Sequence, residues 1–179
     1  MNNIKTPRLT LRKLQDSDDI DLKNNISKDV IRWLPNIPFP YDLACAKEYI
    51  TRSKEGFRNQ STLDFGIILK GKLIGTISLS KIDFKLKKAR LAYLLNKNFW
   101  GIGIMSEAVG CILKYGFEHL KLKKIYTGVI LENKASCKIL IKHKFEEAGA
   151  NKNHYLIKGK YYDKIIMVLY SKDYKTTIK

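Results

Sequence analysis

The sequence contains few cysteines, few prolines and no long apolar run. Its 179 residues include three Cys and four Pro, and no stretch approaches the ~18 consecutive apolar residues that a membrane-spanning helix needs. The first residues, Met1-Asn2-Asn3-Ile4-Lys5, lack the apolar centre of a secretory signal. We therefore expect a cytoplasmic protein that has no membrane partner.

The cysteines and histidines are too scattered to indicate a disulfide framework or a metal site. Cys45, Cys111 and Cys137 are odd in number and contain no Cys-x-x-Cys pair, which favours free thiols in a reducing compartment. The three histidines show no zinc-ligand spacing. The sequence therefore predicts that no metal is involved.

Arginine is scarce although positive charge is not. Lys and Arg number 34 against 17 Asp and Glu, which makes the formal net charge +17, yet only six of these cations are arginines. The charge indicates either an anionic partner or a coding bias toward lysine. Because proteins that read nucleic acid usually rely on arginine, we do not expect nucleic acid as a direct substrate.

The apolar pattern predicts a single α+β domain over residues 1–179. Alternation predicts a strand over 6–14, and further strands are predicted over 63–69, 73–79, 88–96, 124–131, 145–158 and 162–170, of which 145–158 is polar and irregular. Helical spacing predicts short helices over 16–34 and longer ones over 42–58, 104–120 and 133–143. This order indicates a mixed, mostly antiparallel central sheet of about seven strands with helices on both faces.

The most informative segment joins a strand to the strongest predicted helix through two glycines. It reads Leu94-Leu95-Asn96-Lys97-Asn98-Phe99-Trp100-Gly101-Ile102-Gly103-Ile104-Met105-Ser106. Glycine adopts backbone conformations that other residues resist, and the first N–H groups of a helix are free to bind an anion. The segment predicts a phosphate cradle, with a turn that only allows close helix packing as the alternative. It matches neither a P-loop nor a complete dinucleotide fingerprint.

Four motifs resemble the GNAT acetyltransferases, and among them the ribosomal-protein N-terminal acetyltransferases. They are Thr6-Pro7-Arg8-Leu9-Thr10-Leu11-Arg12; Asn98-Phe99-Trp100-Gly101-Ile102-Gly103 with Glu107-Ala108; Asn133-x-Ala135-Ser136 with Lys142-x-x-Phe145; and Gly159-Lys160-Tyr161-Tyr162-Asp163. The match spans nearly the whole chain in the family's order. It implies a sheet splayed in the middle and an enzyme that transfers an acetyl group from acetyl-CoA to a primary amine.

The resemblance also assigns residues to acetyl-CoA. It implies that the glycine turn holds the pyrophosphate, that the preceding strand pairs with the pantetheine arm, and that the start of the later helix contacts that arm. The residues are Leu94, Leu95, Asn96, Trp100, Gly101, Ile102, Gly103, Ile104, Met105, Ser106, Asn133 and Ser136. Asn133 has a plain helix N-cap as its alternative role. Lys142, with Lys138, either meets the 3′-phosphate of CoA or belongs to a solvated stripe.

Three residues are candidates for the chemistry. The resemblance places Ser136 where the family protonates the leaving thiolate, with a solvated helix serine as the alternative. Tyr93, on the strand beside the thioester, contributes either to the reaction or to packing. Arg90 stands where relatives carry a glutamate base, and it cannot accept a proton. His154 is then the nearest group with a suitable pKa, and a water chain or a merely structural histidine are the alternatives.

The sequence does not specify the acceptor amine. By the family pattern, the early helices and the proline-rich loop line the acceptor site, so Trp33, Phe39 and Tyr41, together with Tyr162, are candidates to shape it; core packing is their alternative role. A peptide N-terminus, a polyamine, an aminoglycoside and an amino sugar all stay open, although the net charge disfavours the most cationic acceptors. The rival interpretation is a non-catalytic acyl-CoA-binding or RNA-associated module. Either a monomer or a homodimer fits.

Overall fold

The computed structural model describes residues 3–174, which form one eight-stranded sheet covered by helices. The strands are β1 (Ile4–Lys5), β2 (Leu9–Lys13), β3 (Thr62–Leu69), β4 (Lys72–Asp83), β5 (Lys88–Leu95), β6 (Lys124–Ile130), β7 (Glu146–Ile157) and β8 (Lys160–Tyr170). They are arranged in the order β1-β2-β3-β4-β5-β6-β8-β7. All neighbours are antiparallel except β5 and β6, which are parallel. The predicted α+β sheet is confirmed.

Five α-helices lie between the strands. They are α1 (Asp19–Asn24), α2 (Lys28–Ile31), α3 (Leu43–Asn59), α4 (Ile104–Lys114) and α5 (Lys134–Lys142), and a π-helical turn, Tyr115–His119, continues α4. Within residues 3–174, none of these helices is long and apolar enough to cross a membrane.

Local sequence signals account for the ends of several elements. The Asp42 side chain accepts a hydrogen bond of 2.8 Å from the Cys45 N–H and caps α3, as its position before the apolar run predicts. Lys70 and Gly71, both with positive φ (48° and 82°), join β3 to β4 in a two-residue turn. The predicted hairpin and the predicted start of α3 are therefore confirmed.

The two faces of the sheet pack against different helices. One face contributes Leu11, Ile77 and Leu91 to the larger core, which includes α4 and the Leu140 side chain of α5. The opposite face carries a smaller core in which Ile50 of α3 and residues of α1 pack on β3 and β4. The molecule therefore has an α4/α5 side and an α1/α3 side.

The sheet is splayed between β5 and β6. The two strands pair only from Lys88 to Arg90 on β5 and from Lys124 to Tyr126 on β6, although both continue for several more residues. From Leu91 onward, the edge of β5 that faces β6 pairs with no strand among residues 3–174, and an open cleft results. The predicted splay is confirmed.

Two boundaries differ from those that the sequence predicts. The sheet has eight strands rather than about seven, because Ile4–Lys5 adds a two-residue strand at the edge of β2. The helix predicted over 104–120 changes to a π turn at Tyr115. That turn lets Gly116 approach the sheet so closely that a Cβ there would lie 2.8 Å from the Ile125 side chain.

Candidate active site

The glycine turn forms the entrance to α4 at the open end of the splay. Gly101 and Gly103 have φ values of 78° and 80°, and Gly103 is the N-cap of the helix. A Cβ built on Gly101 would meet no heavy atom within 4 Å. The turn is therefore open to solvent, and the partnerless N–H groups of the first helical turn follow directly after it.

A bridge from the N-terminal motif holds this turn. The Arg8 guanidinium donates to the Ile102 carbonyl oxygen (2.9 Å) and to the Glu107 carboxylate (2.6 Å). The same carboxylate accepts from the Arg8 main-chain N–H (3.0 Å) and from the Thr6 hydroxyl. Burial opposes ionisation, but the hydrogen bonds from Thr6 and Arg8 lower the pKa of Glu107. Two sequence motifs about a hundred residues apart thus form one unit, which the sequence did not predict.

The side chains after the turn are structural. Ile104 and Met105 are buried in the larger core, so only their main chains can face a ligand. Ser106 contacts the buried His143 at the end of α5, whose Nε2 lies 2.9 Å from the Ser106 carbonyl oxygen and 3.1 Å from its hydroxyl. Burial lowers the pKa of His143, which favours the neutral ring. Sequence analysis missed this contact because only the fold brings the two helices together.

The free edge of β5 exposes main-chain groups at alternate residues. The Leu94 carbonyl points toward β4, where it would overlap a Cβ on Gly75, and the Asn96 N–H donates to Ile74. In an extended strand the neighbouring residues face the other way. The N–H and carbonyl groups of Leu91, Tyr93 and Leu95 therefore face the cleft.

The remaining residues predicted at this edge are engaged locally. The Trp100 indole donates to the Leu95 carbonyl at 2.9 Å, which leaves only the Leu95 N–H on that side. The Asn96 side chain donates to Asn25 of the opposite layer at 2.9 Å and accepts from the Asn98 N–H at 2.9 Å. These contacts brace the turn. Direct roles for Leu94, Leu95, Asn96 and Trp100 in binding stay predictions.

Two of the three predicted catalytic residues meet across the cleft. The Tyr93 hydroxyl lies 2.7 Å from the Ser136 hydroxyl, which joins β5 to the first turn of α5. Burial raises the pKa of Tyr93 to about 12, so the phenol keeps its proton at neutral pH. Asn133 caps α5 by accepting from the Ser136 N–H at 3.2 Å. The N-cap role proposed as its alternative is present.

The third predicted catalytic residue lies elsewhere. His154 is exposed on β7, with its ring against Tyr155 and its Nε2 3.5 Å from the Lys164 Nζ. It makes no hydrogen bond to Tyr93 or Ser136. The structure therefore does not join the three residues into one group.

The residues predicted to shape the acceptor site lie in three separate parts of the structure. Trp33 and Tyr162 pack edge to face with ring centroids 5.5 Å apart. Tyr41 lies at the start of α3 against the smaller core. Phe39 is exposed beneath the ammonium of Lys28, 5.4 Å from its ring centroid. Only the Trp33–Tyr162 pair connects the early helices to the last hairpin.

An acid that sequence analysis missed lies under α3. Asp64 of β3 is 8% exposed and accepts a hydrogen bond of 3.1 Å from the Tyr49 hydroxyl. Burial raises the pKa of this carboxyl, against the hydrogen bonds from Tyr49 and Ser78. It lies on the α1/α3 side, two strands from the splay.

The remaining candidates are two lysines and a cysteine of α5. Lys138 and Lys142 are exposed on α5, as the solvated-stripe alternative requires. Burial raises the pKa of Cys137, and its thiol points at the carbonyl of Ile130. No group of three His, Cys, Asp or Glu within residues 3–174 could hold a metal ion.

These features define a class of protein. An open turn at a helix N-terminus suits a diphosphate, the free edge of β5 suits an extended amide-containing chain, and a partly buried phenol lies beside that edge. Together they describe an acyltransferase that uses a coenzyme A thioester.

Comparison with known proteins identifies the family. Residues 8–146 match the acetyltransferase (GNAT) domain model. An uncharacterized N-acetyltransferase, p20 of Bacillus licheniformis, is 33% identical over 97% of this chain and 99% of its own. The putative ribosomal N-acetyltransferase YdaF of Bacillus subtilis is 25% identical over 93% of both chains. A crystal structure of a probable acetyltransferase superposes with a TM-score of 0.88 at 24% identity, over 97% of this chain and 99% of that one. The chain belongs to the GNAT acetyltransferases.

Proposed function

We propose that this protein is an acetyl-CoA-dependent N-acetyltransferase of a primary amine at a peptide N-terminus. The observation that carries the proposal is the Tyr93–Ser136 pair beside the free edge of β5. The similarity to a protein named as a putative ribosomal N-acetyltransferase supports the acceptor class. Three unpaired cysteines support a reducing, cytoplasmic location.

The residues present fit acetyl-CoA, which supplies the acetyl group as a thioester. The open turn at Gly101 and the N–H groups from Gly103 to Ser106 would hold the pyrophosphate. The cleft-facing main-chain groups of Tyr93, together with the Leu95 N–H, would pair with the pantetheine arm and polarise the thioester carbonyl.

The proton that the leaving sulfur requires can come from the Tyr93–Ser136 pair. Tyr93 is partly buried and is protonated at neutral pH, as an ordinary phenol is, and burial raises its pKa further, to about 12. A hydroxyl–hydroxyl contact of 2.7 Å lets one group donate outward while it is replenished by the other. We assign the proton-donating role to this pair and not to Ser136 alone.

The amine must lose a proton as it attacks. Arg90 cannot accept it, and His154 lies beside the Lys164 ammonium. We therefore assign this proton to water in the cleft and keep His154 as the alternative. The pH–rate profile of His154→Ala decides between them, since loss of the acidic limb would restore the histidine as the base.

The test separates chemistry from binding. We expect Tyr93→Phe and Ser136→Ala each to lower kcat by roughly 100-fold, in the range for a lost proton donor, while the Kd for acetyl-CoA changes little. The double variant should lose little more than either single one, because the two hydroxyls act as a unit.

Two results would contradict the proposal. Unchanged kcat in both variants would remove the pair from the mechanism. Tight CoA binding without turnover on any peptide or small amine would favour the non-catalytic acyl-CoA-binding module, for which the missing base at Arg90 is the supporting observation.

A further inference from the structure

Lys164 lies across the α1/α3 side of the sheet where β5 and β6 separate. It pairs with Ile130, but its side chain leans back over Gly128, with Cγ 3.2 Å from the position of a Cβ there. Gly128 alternates with Val129, which faces the α4 core. The absent side chain at Gly128 therefore provides the space that the partly buried lysine occupies.

The positive charge at this point has no counter-ion. Within residues 3–174, none of Lys164, Arg90 and Lys81 forms an ion pair with a carboxylate. Burial lowers the pKa of Lys164, and the charges of Arg90 and Lys81 lower it further. The buried acid of this face, Asp64, is hydrogen-bonded elsewhere, and burial raises its pKa. A bound anion would relieve this repulsion.

The cluster adjoins the free edge of β5. Arg90 is the last β5 residue paired with β6, and the cleft-facing groups of Tyr93 lie three residues further on, about 10 Å along the strand. Tyr162 shares a face with Lys164, two residues before it, and packs on Trp33. An acceptor that enters on this side passes the aromatic pair and the unpaired cations before it reaches the cleft.

We infer that the acceptor carries an anionic oxygen group, a carboxylate or a phosphate, within about 10 Å of its primary amine, and that Lys164 and Arg90 bind this group. The inference rests on the proposed acetyltransferase function and names its substrate class. Arg90 stands where relatives carry a glutamate base. Its role here would therefore be to select the acceptor. His154, 3.5 Å from the Lys164 ammonium, would contact the same anion.

The experiment compares matched acceptors that differ in the presence of an anionic group. With saturating acetyl-CoA, kcat/KM is measured for Ala-Glu-amide against Ala-Gln-amide, and for O-phosphoethanolamine against ethanolamine. We expect the anionic member to be preferred by roughly tenfold or more, as a charge-assisted hydrogen bond gives. The two pairs show whether the anion is the carboxylate of an acidic peptide or the phosphate of a small amine.

Two variants of the cluster and one control locate the effect. Lys164→Met, which keeps the length of the side chain, should abolish the preference by lowering kcat/KM for the anionic acceptor to about the value for the neutral one. Gly128→Ala should weaken the preference by displacing the lysine side chain without removing its charge. Lys85→Met removes one exposed charge in the turn between β4 and β5 and should leave the preference intact. Melting temperatures and CoA affinity confirm that each variant folds.

The outcomes are distinguishable. Equal kcat/KM for both members of each pair in the wild-type protein overturns the inference and leaves the acetyltransferase proposal standing. A preference that survives in both Lys164→Met and Gly128→Ala also overturns it. Binding of CoA without acetylation of any amine contradicts the proposed function and this inference together.

Discussion

Arg8 and Glu107 show how a single ion pair can shape a binding loop without touching the ligand's reacting atoms. Arg8 ties the Ile102 carbonyl, inside the glycine turn, to the carboxylate in the first turn of α4. The turn is exposed and its two glycines are intrinsically flexible. The bridge therefore reduces the conformational entropy that ligand binding would otherwise have to remove.

At the scale of the residue, we expect both Arg8→Gln and Glu107→Gln to weaken CoA binding by roughly fivefold, as the loss of charged hydrogen bonds implies. The Glu107 result is the decisive one. If the Glu107 carboxylate acted only through its negative charge, its removal near the phosphates of CoA would increase the affinity for CoA. Calorimetric titration measures the Kd, and Arg58→Gln, at an exposed arginine on α3, is the control. Tighter binding by Glu107→Gln would contradict the positioning role.

At the scale of the element, the His143 side chain connects α5 to α4. Its contact with the Ser106 main chain connects the end of the helix that carries Ser136 to the first turn of the helix that follows the glycine turn. The ring is buried and burial lowers its pKa, with a smaller effect from the charge of Lys142. The folded protein therefore resists protonation of a group that the unfolded chain protonates near pH 6.5.

The direction of the His143 pKa shift predicts how the stability of the protein depends on pH. Because the folded-state pKa is depressed, stability is retained above the unfolded pKa and falls as the pH drops toward the folded one. We expect the melting temperature of the wild type to decrease between about pH 7.5 and about pH 5.5. His143→Gln, which keeps a donor for the Ser106 carbonyl, should show a smaller decrease, whereas His154→Gln on exposed β7 should behave like the wild type. Identical slopes in all three proteins would contradict it.

At the scale of the whole molecule, the net charge of +17 acts on every anionic ligand. A field of this size attracts CoA, which carries several phosphate charges, and it repels a polyamine. We expect the Kd for CoA to rise about fivefold or more between about 0.05 M and about 0.5 M salt, because added ions screen the attraction. Pantetheine, which lacks the nucleotide phosphates, is the control and should show little change. A salt-independent Kd for CoA would show that the surface charge does not contribute.

The sequence alone determined the layout of this protein. Local patterns such as Asp42 before an apolar run, Lys70-Gly71 between two strands, and Gly101 and Gly103 before a long helix decide caps and turns through short-range sterics and hydrogen bonds. Such signals need no knowledge of distant residues. The α+β sheet and the glycine turn could therefore be predicted from local signals, whereas the splay was expected from the family resemblance alone.

Only the tertiary structure decided which residues meet. Thr6 and Arg8 contact Glu107, and Tyr93 contacts Ser136, because the sheet order brings distant strands and helices together. For the same reason the Lys164 side chain lies over the space at Gly128. Burial, which depends on that order, also raises the pKa of Tyr93. Two of the six arginines show the same dependence on the fold: Arg8 contacts the glycine turn, and Arg90 lies near Lys164 where β5 and β6 separate.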